Sequence, residues 1–212
     1  MAIPSKEEFR KALEQRHGAA LQDRFSRASV AVCGLGGLGS GIAIALARAG
    51  VGRLHLLDFD KGELSNLNRQ QYTVSQLGMY KTEALRDTLL SVAPYCETVI
   101  HTKRIGEENL EELLRDAEVV CEALDRAEEK AMLVNGVLEQ LPNTYLVSGS
   151  GMAGISSSNA IRTRRVGKRF YLCGDGTSDI ADGLCLVSSR VLICAAHEAN
   201  MVLRILAGEY EV

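Results

Sequence analysis

Apolar residues follow two rhythms along the chain. In residues 6–27, Phe9, Leu13, Leu21 and Phe25 recur among charges and predict one helical N-terminal arm. From Val30 onward, short apolar runs alternate with longer mixed stretches. The runs at 30–33, 54–58, 98–102, 118–122 and 144–148 predict strands. The stretches at 38–49, 81–92, 108–115 and 127–140 predict helices. A short turn or helix is expected at 66–70, and Pro94 ends the helix at 81–92. Strands separated by helices imply a mostly parallel sheet covered on both faces, that is, an α/β, doubly wound, Rossmann-like class. After Ser148 the pattern changes. Residues 149–154 predict a flexible glycine-rich connection and 159–163 a more exposed strand. A loop is expected at 168–183, and a last helix at 187–206 with Gly208 as its stop.

At 212 residues, 46% hydrophobic and 24% charged, the chain suits one domain with a full core. Its expected parts are the arm (1–27), a nucleotide-binding part (28–148) and a strand, crossover loop and last helix (149–212). A net charge of −3 argues against a nucleic-acid footprint. No apolar run reaches the roughly 18 residues of a membrane span, and the N-terminus is too polar and acidic for a signal peptide. The six scattered cysteines then read as reduced thiols in a cytoplasmic protein. One basic cluster, Arg162, Arg164, Arg165, Lys168 and Arg169, is either a solvated ribbon or a contact for an acidic protein partner.

The segment from Val30 to Asp60 carries the most chemistry. A strand runs into Gly34-Leu35-Gly36-Gly37-Leu38-Gly39, then a small-residue helix, then a strand ending at Asp58. Such a loop lets backbone approach a phosphate at a helix N-terminus, with the acidic strand end placed for a ribose. Glycines alone do not choose between a dinucleotide and ATP. Ser65-Asn66-Leu67-Asn68-Arg69-Gln70 and Gly78-Met79-Tyr80-Lys81 follow. An arginine fork and a lysine point charge beyond a phosphate loop fit a triphosphate whose pyrophosphate is to leave. An ATP site is therefore the reading, with an NAD-dependent oxidoreductase as its rival.

Five segments in order, GLGGLGS, LLDFD, SNLNRQ, GMYK and EALDRAEEK, resemble the superfamily of ThiF, MoeB and the ubiquitin-activating enzymes. The similarity is greatest to short ThiF-type proteins, which adenylate the C-terminal glycine of the sulfur carrier ThiS in thiamine synthesis. That resemblance implies ATP and Mg²⁺ as cofactors, a ThiS-like partner ending in Gly-Gly, and a homodimer. It also implies roles residue by residue. Gly36, Gly37 and Gly39 approach the α-phosphate and Asp58 holds the ribose. Ser65, Asn66, Asn68 and Arg69 form the phosphate-contacting segment, Lys81 bridges the phosphates, and Asp125 holds the Mg²⁺. Catalysis is expected from Arg69, Lys81 and Asp125.

Three departures qualify the transfer. Arg126 stands where many relatives have Asn. The paired Cys-x-x-Cys sites of zinc-binding relatives are missing, so no zinc is expected. The arginine that relatives lend to a partner subunit could be Arg10, Arg16 or Arg24. Cys185, and after it Cys173, are candidates for a covalent link to the carrier, with an incidental cysteine as the plainer reading. Asp60 reads as a local cap or a ligand, Asn68 as a cap or a binder, and Asp125 also as the N-cap of its helix. No histidine is given a catalytic task. A non-catalytic partner protein on the same fold remains the other alternative.

Overall fold

A computed structural model describes residues 3–212. The arm is two helices, α1 (Lys6–His17) and α2 (Ala19–Arg27), because Gly18 between them adopts a φ of 89° that only glycine takes readily. This corrects the single helix expected there. The strands are β1 (Ser29–Cys33), β2 (Arg53–Leu57), β3 (Glu97–His101), β4 (Val119–Glu122), β5 (Tyr145–Gly149), β6 (Arg162–Arg165) and β7 (Phe170–Gly174). They form one sheet in the order β3-β2-β1-β4-β5-β7-β6. The pairings from β3 through to β7 are parallel, and β6 closes the edge antiparallel to β7.

Alternation along β1 divides the core into two layers. Val30 and Val32 pack with α3 (Gly37–Arg48), α4 (Lys81–Val92) and α7 (Ser188–Ala207). Ala31 and Cys33 face the other way, toward α5 (Leu110–Leu114) and α6 (Ala127–Gln140). Helices on both faces make residues 30–33 of β1, 119–121 of β4 and 145–147 of β5 consecutively apolar, which is why their runs were legible.

Two C-terminal expectations need correction. Residues 168–183 are not one loop, since β7 lies within them, with Tyr171 and Cys173 fully buried against β5. The strand expected at 159–163 is shifted: a 3₁₀ turn occupies Ser158–Ala160 and the strand begins at Arg162. The connection at 149–154 is tied down by Ser150 N–H to Cys173 C=O (2.8 Å) and Gly154 N–H to Cys185 C=O (2.7 Å).

Candidate active site

The carboxyl ends of β1, β2, β4 and β5 open into one cleft of about 540 Å³, where ligands sit in doubly wound sheets. The glycine loop forms its floor. Gly34 has a φ of 89°, and a Cβ there would lie 2.6 Å from Ala123 O. A Cβ on Gly39 would lie 1.8 Å from Gly34 O, so Gly39 serves the tightness of the turn and does not line the cleft. Gly36 and Gly37 line it directly, and a Cβ on Gly36 would meet nothing nearer than Gln70 Nε2 at 3.8 Å. No side chain caps α3, so its first N–H groups stay free for a ligand's oxygens. The Tyr72 hydroxyl donates to Leu35 C=O (2.6 Å) and steadies the loop.

Asp58 stands at the end of β2 with little exposed surface. Its Oδ2 accepts from Leu35 N–H (2.7 Å) and its Oδ1 from Asp60 N–H (2.8 Å). Burial raises its carboxyl above the ordinary range, while Lys81 and those two N–H groups pull it back. Each oxygen keeps a lone pair for a hydroxyl. Lys81 opens α4 with a buried stem, its Nζ 3.0 Å from Asp60 and 3.9 Å from Asp58. Asp60 is thus a partner of Lys81. Arg69 also lines the cleft, its guanidinium on Asn68 Oδ1 (2.9 Å) and Ser65 C=O (3.5 Å). Asp125 lines the opposite wall, exposed, with no hydrogen bond or ion pair among the described residues. Arg126, not Asp125, holds the N-cap position of α6, and no side chain caps that helix.

The structure therefore gathers Gly36, Gly37, Asp58, Arg69, Lys81 and Asp125 around one space. Ser65, Asn66 and Asn68 do not line it. Asn66 Oδ1 accepts from Glu63 N–H (3.1 Å) and shapes the turn. Asn68 Nδ2 donates to Leu186 C=O (3.0 Å) and fastens the segment before α7. Sequence reading missed Gln70, a buried cleft residue whose Oε1 has no partner, although it sits inside the quoted SNLNRQ run. It missed Arg104 too, which stacks on Phe59 (5.6 Å) and pairs with Glu129 across the mouth. Arg104 lies in no motif.

Of the two cysteine candidates, Cys185 is exposed, whereas Cys173 is buried in β7, its thiol pushed by burial to about 12. Arg10 is engaged by Glu14 and Asp23, and Arg24 by Ala207 C=O. Arg16 is exposed without an ion pair among the described residues. Among those residues no group of three or more His, Cys, Asp or Glu could hold a metal. One exposed carboxylate across the cleft from an uncapped helix end nevertheless suits Mg²⁺, an ion that keeps most of its shell as water and phosphate oxygen. No helix among the described residues is long and apolar enough to cross a membrane.

Comparison with known families adds the deciding observation: the model of the ThiF family matches residues 9–209. The chain belongs to the ThiF family. This ThiF-family chain is 38% identical over 137 residues to adenylyltransferase and sulfurtransferase MOCS3 of Drosophila willistoni, covering 64% of the chain and 29% of that relative. It is 45% identical over 83 residues to ubiquitin-like modifier-activating enzyme 5 of Caenorhabditis elegans, covering 39% of the chain and 20% of that relative. The matched stretch is under a third of either relative. The fold is similar to that of E. coli tRNA N6-threonylcarbamoyladenosine dehydratase, TcdA, solved in complex with ATP. That likeness has a TM-score of 0.87 at 18% identity and covers 98% of both chains. E. coli MccB with ATP is similar at a TM-score of 0.71 and 20% identity, over 90% of this chain and 58% of MccB.

Proposed function

We propose that this protein adenylates the C-terminal glycine carboxylate of a ubiquitin-like, ThiS-like sulfur carrier, using ATP and releasing pyrophosphate, with thiamine biosynthesis as its pathway. The observation that carries the reading is the convergence of an uncapped, glycine-floored helix end with Asp58, Arg69, Lys81 and Asp125 around one cleft. Relatives named as adenylyltransferase and as modifier-activating enzyme support it, as do similar folds solved with ATP.

In this reading the glycine loop receives the α-phosphate, Asp58 accepts from the ribose hydroxyls, and Arg69 and Lys81 face the departing phosphates. A carrier's terminal carboxylate is already ionised at neutral pH, so no general base is required. One carboxylate oxygen attacks the α-phosphorus, the bond to the bridging oxygen breaks, and pyrophosphate leaves with the electron pair. Acyl-adenylate and pyrophosphate result. Mg²⁺, held by Asp125 and phosphate oxygens when bound, supplies further charge neutralisation. The protein's share is positioning and electrostatics. We assign Arg16 as the arginine free to reach a second copy in a homodimer, and a cytoplasmic location.

The test offers ATP, Mg²⁺ and small proteins ending in Gly-Gly, and looks by intact mass for the acyl-adenylate. Its absence, together with no exchange of pyrophosphate into ATP, sinks the proposal. A second reading, a modified tRNA base as acceptor, draws on the full-length likeness to TcdA. Bulk tRNA belongs in the same assay, and ATP turnover dependent on tRNA alone would favour it.

A further inference from the structure

Beneath the wall that carries Asp125 lies a polar cluster that the proposed chemistry does not use. Glu122 ends β4 and is wholly buried. Its Oε1 accepts from Leu124 N–H (2.8 Å) and from Lys130 (3.0 Å). Its Oε2 accepts from Lys130 (2.7 Å) and from the Ser148 hydroxyl (2.5 Å). Lys130 also donates to Leu124 C=O (3.2 Å). An ammonium has three protons to give. All three stay inside the protein, so Lys130 lines the cleft without one to spare for a phosphate.

These bonds hold Leu124, the residue before Asp125, at both its N–H and its C=O. Ala123 is held as well, its N–H on Cys33 C=O (2.8 Å). Its carbonyl presses so closely on Gly34 that a Cβ there would stand 2.6 Å away. The turn that presents Asp125 is therefore packed against the glycine loop on one side and pinned from below on the other. A buried ion pair is a weak source of stability compared with apolar residues of the same volume. What this one supplies is placement, because groups of β4, β5 and α6 meet on one carboxylate three residues before Asp125.

We propose that the Glu122–Lys130 pair, braced by Ser148, is a positioning device that sets the Asp125 carboxylate against the glycine loop, and so governs how the protein takes up Mg²⁺ with ATP. The proposal rests on the ATP reading of the cleft. Neither of its measurements needs a carrier protein, so failure of carrier adenylation would be a separate result.

The experiment compares the native chain with Lys130→Arg and with the double variant Glu122→Leu/Lys130→Met, which removes both buried charges and the acceptor of the Leu124 N–H together. Amide exchange at Leu124 and calorimetric ATP binding with and without Mg²⁺ are measured. In the double variant Leu124 should exchange at least about tenfold faster while Val32 does not. ATP alone should bind as in the native chain, and the tightening that Mg²⁺ gives should fall about tenfold or more, as expected for an outer-sphere positioning group. Lys130→Arg should retain most of that tightening. If the double variant does not fold, Ser148→Ala is read the same way with a smaller shift. Unchanged exchange at Leu124, or Mg²⁺ tightening that survives in full, overturns the proposal. Equal loss of ATP binding with and without Mg²⁺ overturns it too, because that would be collapse of the cleft and not displacement of Asp125.

Discussion

Lys81 Nζ lies 3.0 Å from Asp60 Oδ2, and the lysine stem is buried while the aspartate is half exposed. The Lys81 N–H donates to Asp60 C=O as well (2.9 Å). An ion pair open to water on one side is weak, so Asp60 can yield the ammonium to a phosphate. The pair holds the lysine, its stem buried, in place at the cleft before any nucleotide arrives.

Lys81→Met retains the apolar stem and removes the charge. Exchange of pyrophosphate into ATP should fall by roughly a hundredfold or more, the usual size for one charge-stabilising donor. Circular dichroism should show the fold intact. Unchanged exchange in a folded variant removes Lys81 from the mechanism.

Gly39 and Gly36 make opposite predictions three residues apart. A Cβ on Gly39 would meet the Gly34 carbonyl at 1.8 Å, backbone that cannot give way. Gly39→Ala should cost about 3 kcal/mol or more of stability. Gly36 has a φ of −73°, and the nearest atom to a Cβ there is Gln70 Nε2 at 3.8 Å, so Gly36→Ala should leave the melting temperature unchanged. It should still weaken ATP binding, since the methyl enters the cleft. Equal melting losses in the two variants would contradict this division.

Arg190 opens α7 almost fully buried, donating to Ser156 C=O (2.5 Å), Ser157 C=O (2.9 Å) and Asp175 Oδ2 (2.5 Å). Asp175 in turn accepts from Thr177 and Ser178 N–H. It thereby joins both limbs of the crossover region, which contributes Ser178, Asp179 and Ile180 to the cleft. Arg190→Ala removes the cation paired with Asp175 Oδ2 and the donor to two carbonyls, and should cost about 2 kcal/mol. Chymotrypsin should then cut near Leu184 faster than in the native chain. Equal cleavage rates would show that the clamp does not hold this region.

Glu198, wholly buried on α7 with Oε2 unpartnered, sets a pH dependence. Burial, and then the neighbouring Glu122, push its carboxyl well above the ordinary range. The unfolded chain releases this proton near 4.5. Above that value the folded state still holds it, so stability falls as pH rises toward the folded value. Glu198→Gln keeps the shape without titrating. Between about pH 5 and pH 8 the native melting temperature should decline relative to the variant, and parallel curves would clear Glu198 as the cause.

Strands β1 to β5 were legible in the sequence because each carries a short apolar run between helical stretches, and helices cover both faces of β1, β4 and β5. The glycine loop and the acid ending β2 could be read for a similar reason, since close backbone approach and a strand end dictate residue type locally. β7 was not legible. Its five residues sit among Gly and Asp, and only pairing with β5 and β6 makes Phe170–Gly174 a strand. Nor could spacing separate Asn66 and Asn68, which bond to backbone, from Arg69, which lines the cleft.

The sequence by itself determined the fold class, the family resemblance and the cluster of glycines, acids and cations to expect, because each answers to a local backbone demand or an apolar period. Only the tertiary structure decided which of them share one cleft. It alone revealed that Lys130 is fully engaged beneath the wall and that Arg190 clamps the crossover region. Those facts depend on partners 6 to 34 residues away along the chain, and distance in sequence carries no record of contact in space.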